Sequence, residues 1–301
     1  ESSDPFFEWY HSPLSLEDWL AGGSLLVLCL IFIPLTTLVT GSMYRADKEI
    51  IGYRYLVSSS LIDILCMVQY GGINGIAILA KNPPVDRRHG RSAMQFYIDW
   101  VWFAFCLNYP LVAWSRFAAI QAPFWFCRQQ RWQSYLICLI SYVVALILVR
   151  IWDASGGFRQ VSPLFIPPTT IFLGQHTSAR QLESAEQFSH FRYLTAGHSA
   201  MFLYLHIFCV VAPLILYLLT IILIVRDQHA SGVQGVSQGQ MSVEKRLLIP
   251  CILSNVIFVL GQVAITIGTG TGKWATWTIC LLFFVNSAAN SVLLLLFSPN
   301  L

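Results

Sequence analysis

Seven apolar stretches constrain this chain more than anything else in it, each close to the roughly 20 residues a helix needs to cross a hydrocarbon core about 30 Å thick. They run near Leu20–Thr40, Tyr55–Ala80, Tyr97–Ile120, Tyr135–Trp152, Ala200–Val225, Leu247–Ile267 and Trp274–Phe297. In lipid, backbone N–H and C=O groups have to be satisfied within their own segment, so such stretches are expected to be helices. Composition agrees: 56% of the 301 residues are hydrophobic and 11% charged, where soluble domains carry roughly a quarter charged. The expected fold is all-α, a seven-transmembrane-helix bundle forming a single domain over 1–301.

An odd number of crossings places the termini on opposite sides of the membrane. The 18 Lys and Arg residues divide equally between the two sets of connections. Discounting the long segment after the fourth span, as the positive-inside rule permits, tilts the balance towards an extracellular N-terminus and a cytoplasmic C-terminus. The acidic start ESSDPFFEWYHSPLSLEDW points the same way. The expected layout has a short N-terminal tail (1–18) and a long extracellular loop (about 153–199) punctuated by GG, SP and PP. A flexible Gly/Gln/Ser-rich cytoplasmic loop occupies about 227–243. Membrane lipid is the expected solvent. A net charge of +3 without a basic stripe argues against nucleic acid as a partner. All eight cysteines fall in spans or at their expected inner ends, so no disulfide framework is expected. The Gly71-to-Gly75 step in the second span reads as a site of close helix packing.

Ionisable residues inside spans are costly and therefore informative. Asp63, in YLVSSSLIDIL, is the one acid deep in a span. It has to face the interior and find partners: Ser59, Ser60 or, best placed, Asn290 of the seventh span, with Asn286 one turn earlier on the same face. The cluster is either a packing lock or a water or cation site whose occupancy differs between two arrangements of the bundle. Arg116 closes the third span in WSRFAAIQAP, with Phe117 beside it, Ile120 four residues on and Pro123 seven on. Snorkelling to interfacial water would account for the arginine alone.

Three motifs carry a resemblance. SRFAAIQAP is similar to the D-R-Y-x-x-I-x-x-P signature of rhodopsin-like G-protein-coupled receptors. YLVSSSLID resembles their second-helix L-x-x-x-S-L-A-x-A-D pattern, and NSAANSVLLLLF their seventh-helix N-S-x-x-N-P-x-x-Y region. The three occur in the family's order and on the corresponding spans. YRYLVSSSLIDIL and VEKRLLIPCILSNVIFV look most like nematode serpentine chemoreceptors of the Srt class. The chain departs from the pattern at Ser115 in place of the acid before the arginine, and at Ser291 and Leu294 in place of proline and tyrosine. It also lacks the family's cysteine clamp at the third span and the C-W-x-P of the sixth.

The resemblance implies a chemosensory receptor of the plasma membrane, or of a sensory cilium, that couples an extracellular small-molecule or peptide ligand to a heterotrimeric G-protein α subunit. On that reading the sixth helix swings outward around Arg116, with Phe117, Ile120, Pro123, Lys245 and Arg246 forming the coupling surface. Arginine suits the contact because its planar, permanently charged guanidinium offers several donors.

Ligands of bundles sit between helices, here at the outer end. Asp99, Trp102, Phe103 and Cys106 share a face by helical spacing, and an acid beside tryptophan can hold a cation. His206, Gln262 and Thr266 face them from the fifth and sixth spans. Equally, Asp99 can pair with Arg88 or Arg91, the aromatics forming an interfacial belt. Neither a metal nor a cofactor is expected. A transporter or channel with a polar core at Asp63 and Asn290 is the alternative function. An enzyme is not expected, since neither H-E-x-x-H nor G-x-S-x-G occurs.

Overall fold

In the computed structural model the protein is described over residues 13–80, 89–154, 199–229, 238–267 and 273–297; at some helix ends only the backbone is described. The described residues contain no strand. Seven long helices account for nearly all of them: α1 (Leu16–Ala46), α2 (Gly52–Ala80), α3 (His89–Gln121), α4 (Arg131–Ala154), α5 (Ser199–His229), α6 (Gln238–Ile267) and α7 (Lys273–Phe297). Each is long and apolar enough to cross a membrane, which makes the chain a multi-pass membrane protein by the length and composition of its helices. Every expected span lies inside one of these helices, and the helices run a few residues further into the polar flanks. Backbone hydrogen bonding continues past the point where hydropathy falls.

Local signals set several ends. Ser15 caps α1 through a capping box: its Oγ accepts from the Asp18 N–H at 3.2 Å, and Asp18 Oδ2 accepts from the Ser15 N–H at 3.0 Å. Ala122 leaves helical geometry after α3, and Pro123 opens the short helix Pro123–Cys127, where its missing N–H costs nothing. Prolines also lie inside α1 (Pro34), α3 (Pro110), α5 (Pro213) and α6 (Pro250). Each removes one intrahelical hydrogen bond, which neighbouring helices can compensate in a bundle.

α3 runs through the middle, packed against α2, α4, α5 and α6, while α7 closes the bundle against α1, α2 and α6. Accordingly α2 and α3 are mostly enclosed, whereas α1, α4 and α5 turn most of their length outward. Between α5 and α6 the described residues touch only sparingly. The expected close packing at Gly71 and Gly75 is present. A Cβ at Gly71 would lie 2.3 Å from Cys29 Sγ, and one at Gly75 would lie 2.9 Å from Leu26 Cγ. Gly22 of α1 answers from the other side, where a Cβ would stand 2.8 Å from Leu79 Cγ. In the same stretch α2 loosens into a π-helical turn, Val68–Ile73. The Cys29 thiol donates to the Met67 carbonyl at 3.3 Å, at the edge of that turn.

Candidate functional site

Asp63 sits mid-way along α2 and is 2% exposed. Asn290 Nδ2 of α7 donates to its Oδ2 at 2.9 Å, so the pair named from the sequence is in contact. Asn286, also buried, accepts from the Tyr109 hydroxyl of α3 at 3.3 Å. Its hydrogen bond thus ties α7 to α3, whereas that of Asn290 ties it to α2. Ser60, Ser287 and Ser291 stand close by in sequence on α2 and α7, and their hydroxyls have no hydrogen-bond partner among the described residues. Tyr109 stacks on Phe258 of α6 at 4.1 Å between ring centroids, and Phe105 meets Phe258 edge-on at 5.9 Å. The polar cluster is therefore overlaid by aromatic rings from α3 and α6.

Arg116 is the largest fully buried side chain among the described residues, 1% exposed, at the end of the bundle formed by the connections 47–51 and 122–130. Its Nη2 donates to the Gly52 carbonyl, the first residue of α2, at 2.7 Å. The guanidinium is also within electrostatic reach of Tyr217 on α5. It does not snorkel: among the described residues its side chain is enclosed. Phe117 is half-buried and Ile120 buried, each within α3. Pro123 is half-buried at the start of the short helix, and Arg246 is exposed on α6. Lys245 belongs to α6, and its side chain lies outside the described residues.

At the opposite end Asp99, Trp102, Phe103 and Cys106 are all buried. Burial does not single out the face they share, because Val101, Ala104 and Phe105 are buried here too. Trp102 meets Phe283 of α7 edge-on at 4.9 Å, and Phe283 stacks on Tyr70 of α2 at 4.6 Å. Cys106 shares this core with Cys209 of α5. Asp99 lies within electrostatic reach of Tyr70. Gln262 is buried on α6. Arg88 lies outside the described residues, as do the side chains of Arg91, His206 and Thr266.

Two polar assemblies have no counterpart in the sequence reading. At the Arg116 end, Asp47 binds the Arg131 Nε at 3.0 Å and accepts from the Tyr135 hydroxyl at 2.5 Å, both on Oδ2. Arg131 lies over the Tyr44 ring at 4.6 Å. Arg54 Nε donates to the Asp47 carbonyl at 3.1 Å, and its Nη1 donates to the Gln129 carbonyl at 2.9 Å. The Tyr55 hydroxyl donates to Gln129 Oε1 at 2.9 Å. Together these clamp α1, α2 and α4 to the connection after α3. Further in, the Tyr142 hydroxyl donates to the Ser58 carbonyl at 2.7 Å, and Ser58 Oγ lies 3.4 Å from Asn108 Oδ1. This joins α2, α3 and α4. Asn108 inside an apolar run was a visible signal; Asp47 and Gln129, in connections, had none.

The described residues contain no group of three or more His, Cys, Asp and Glu placed to hold a metal ion. No protein-family model matches the chain, and no curated protein matches it.

Proposed function

We propose that the chain is a receptor of the plasma membrane, resembling the chemosensory G-protein-coupled kind, with its N-terminus outside and the Arg116 end in the cytoplasm. The observation that carries this reading is the buried arginine. A guanidinium held 2.7 Å from a backbone carbonyl at the start of α2 makes a contact that another carbonyl can replace. The free C-terminal carbonyls of a partner helix, such as the tail of a G-protein α subunit, present that chemistry.

Release needs one side of the end to open, and the packing supports α6 as the moving part. The α1–α2–α4 clamp holds the other side, while the described residues of α5 and α6 touch each other only sparingly. The Asp63–Asn290 and Tyr109–Asn286 bonds join α7 to α2 and α3 between the two ends, where a ligand-induced shift of α7 or α6 would be passed on. Transport, the alternative, needs a continuous polar path. The packed rings of Phe105, Tyr109 and Phe258 beside the Asn286 hydrogen bond favour the receptor reading over such a path.

The test is guanine-nucleotide exchange by heterotrimeric G proteins with the purified chain in lipid nanodiscs, across a panel of small molecules and peptides. Ligand-dependent exchange is expected, falling about tenfold or more in Arg116→Ala, the loss expected when a charged hydrogen bond is removed. Unaltered exchange in that variant removes the arginine from the mechanism. Solute flux in liposomes without G protein would replace the receptor reading with transport.

A further inference from the structure

Gln69 is 1% exposed, and neither its amide Nε2 nor its Oε1 has a hydrogen-bond partner among the described residues. The unpartnered serine groups near Asp63 are single hydroxyls that rotate to suit a neighbour. A side-chain amide has two donors and an acceptor in a fixed plane, and in a membrane interior leaving all of them dry is costly. Gln69 also lies in the π-helical turn Val68–Ile73. Such turns are rare within helices and recur at functional sites.

The surroundings show what the amide faces. One turn before Gln69, the Leu65 carbonyl accepts from the Tyr97 hydroxyl of α3 at 3.4 Å, so this face of α2 meets α3. The next residue, Tyr70, stacks on Phe283, which abuts Trp102. Tyr97, on the α3 side of the seam, is half-buried.

We propose that Gln69 is the hydrogen-bonding anchor of a ligand site in the α2–α3 seam, one that takes a small uncharged molecule with a flat apolar body and a carboxamide-like edge. An amide is best answered by a second amide, whose N–H donates to Oε1 while its carbonyl accepts from Nε2. The aromatic side chains nearby suit a flat body. An uncharged ligand follows because Gln69 brings no charge to offset an ion carried into the membrane core. The site deepens the receptor reading and rests on it for the ligand's role as a signal.

The experiment measures thermal unfolding of the full chain in nanodiscs with benzamide as probe and toluene as the control of similar shape, without G protein. Benzamide is expected to raise Tm saturably by about 3 °C, and toluene not to. Gln69→Leu, similar in volume and free of the stranded amide, is expected to fold and to bind benzamide about tenfold more weakly or worse. Gln69→Asn, which keeps the amide one methylene short, is expected to fall between the two. No saturable shift in the native chain, or an equal shift in Gln69→Leu, overturns the site and leaves a trapped water as the occupant. Binding without nucleotide exchange would keep this site and remove the receptor reading; exchange without benzamide binding would do the reverse.

Discussion

Asn290 has one donor on Asp63 Oδ2, and each residue is enclosed, so removing either leaves the other's polar atom without its partner. Hydrogen bonds between membrane helices average about 0.6 kcal/mol and reach about 1.7 in double-mutant cycles, because the unfolded chain in lipid also finds partners. The Asp63→Ala, Asn290→Ala and double variants, unfolded in detergent, should therefore show a coupling of about 0.6–1.7 kcal/mol. Additive losses would mean that the contact contributes nothing of its own. This pairing was legible from YLVSSSLIDIL and VNSAANSVLLLLF, because a lone buried acid in lipid requires a polar partner and few exist. The second asparagine was not legible in the same way. Asn286 shares a face with Asn290, yet a residue of α3 reaches it first, and only the crossing of helices decides which. At Arg116 the chemistry was readable and the surroundings were not: sequence alone left snorkelling and inward burial open, and packing against α2 chose burial.

At the scale of elements, the α1–α2 contact is governed by missing side chains. A Cβ at Gly71 would meet Cys29 Sγ at 2.3 Å and Phe284 at 2.9 Å, whereas Gly23 has nothing within 4 Å of that position. Gly71→Ala is accordingly expected to destabilise the bundle by about 1–3 kcal/mol through overpacking. Gly23→Ala, in the same helix pair, is expected to stabilise it by up to about 1 kcal/mol through helix propensity. Thermal unfolding of both variants checks the contrast; equal effects would show that close approach at Gly71 is not required. Helix positions were legible almost throughout, since hydropathy and length suffice when the solvent is lipid. The π turn was not, because nothing in VQYGGI distinguishes it from a regular helix until α1 and α7 press against its glycines.

For the whole molecule, the polar clamp at the Arg116 end ties α1, α2 and α4 together. Asp47, Arg54, Gln129 and Arg131 make that clamp, while the described residues of α5 and α6 touch each other little. Spin labels placed through Lys48→Cys and Arg128→Cys, both exposed, in a Cys127→Ser background, should keep one narrow distance with and without G protein. The pair Arg128→Cys and Arg246→Cys should broaden and lengthen when G protein and ligand are present, as expected of a rigid-body helix movement. An unchanged second distance would leave α6 out of the mechanism.

The amino-acid sequence by itself determined that this protein spans a membrane seven times as helices, because lipid offers unpaired backbone no alternative and apolar length is a local property. It also marked Asp63 and Arg116, since the cost of a charge in that solvent is paid wherever the chain goes. The tertiary structure alone decided which groups meet elsewhere: the Tyr109 hydroxyl on Asn286, the Gly52 carbonyl on Arg116, Gln129 on Arg54, and among the described residues no protein group on Gln69. Those contacts depend on the rotation and crossing of helices, which are set by side chains far apart in the chain and by glycines that let two backbones approach.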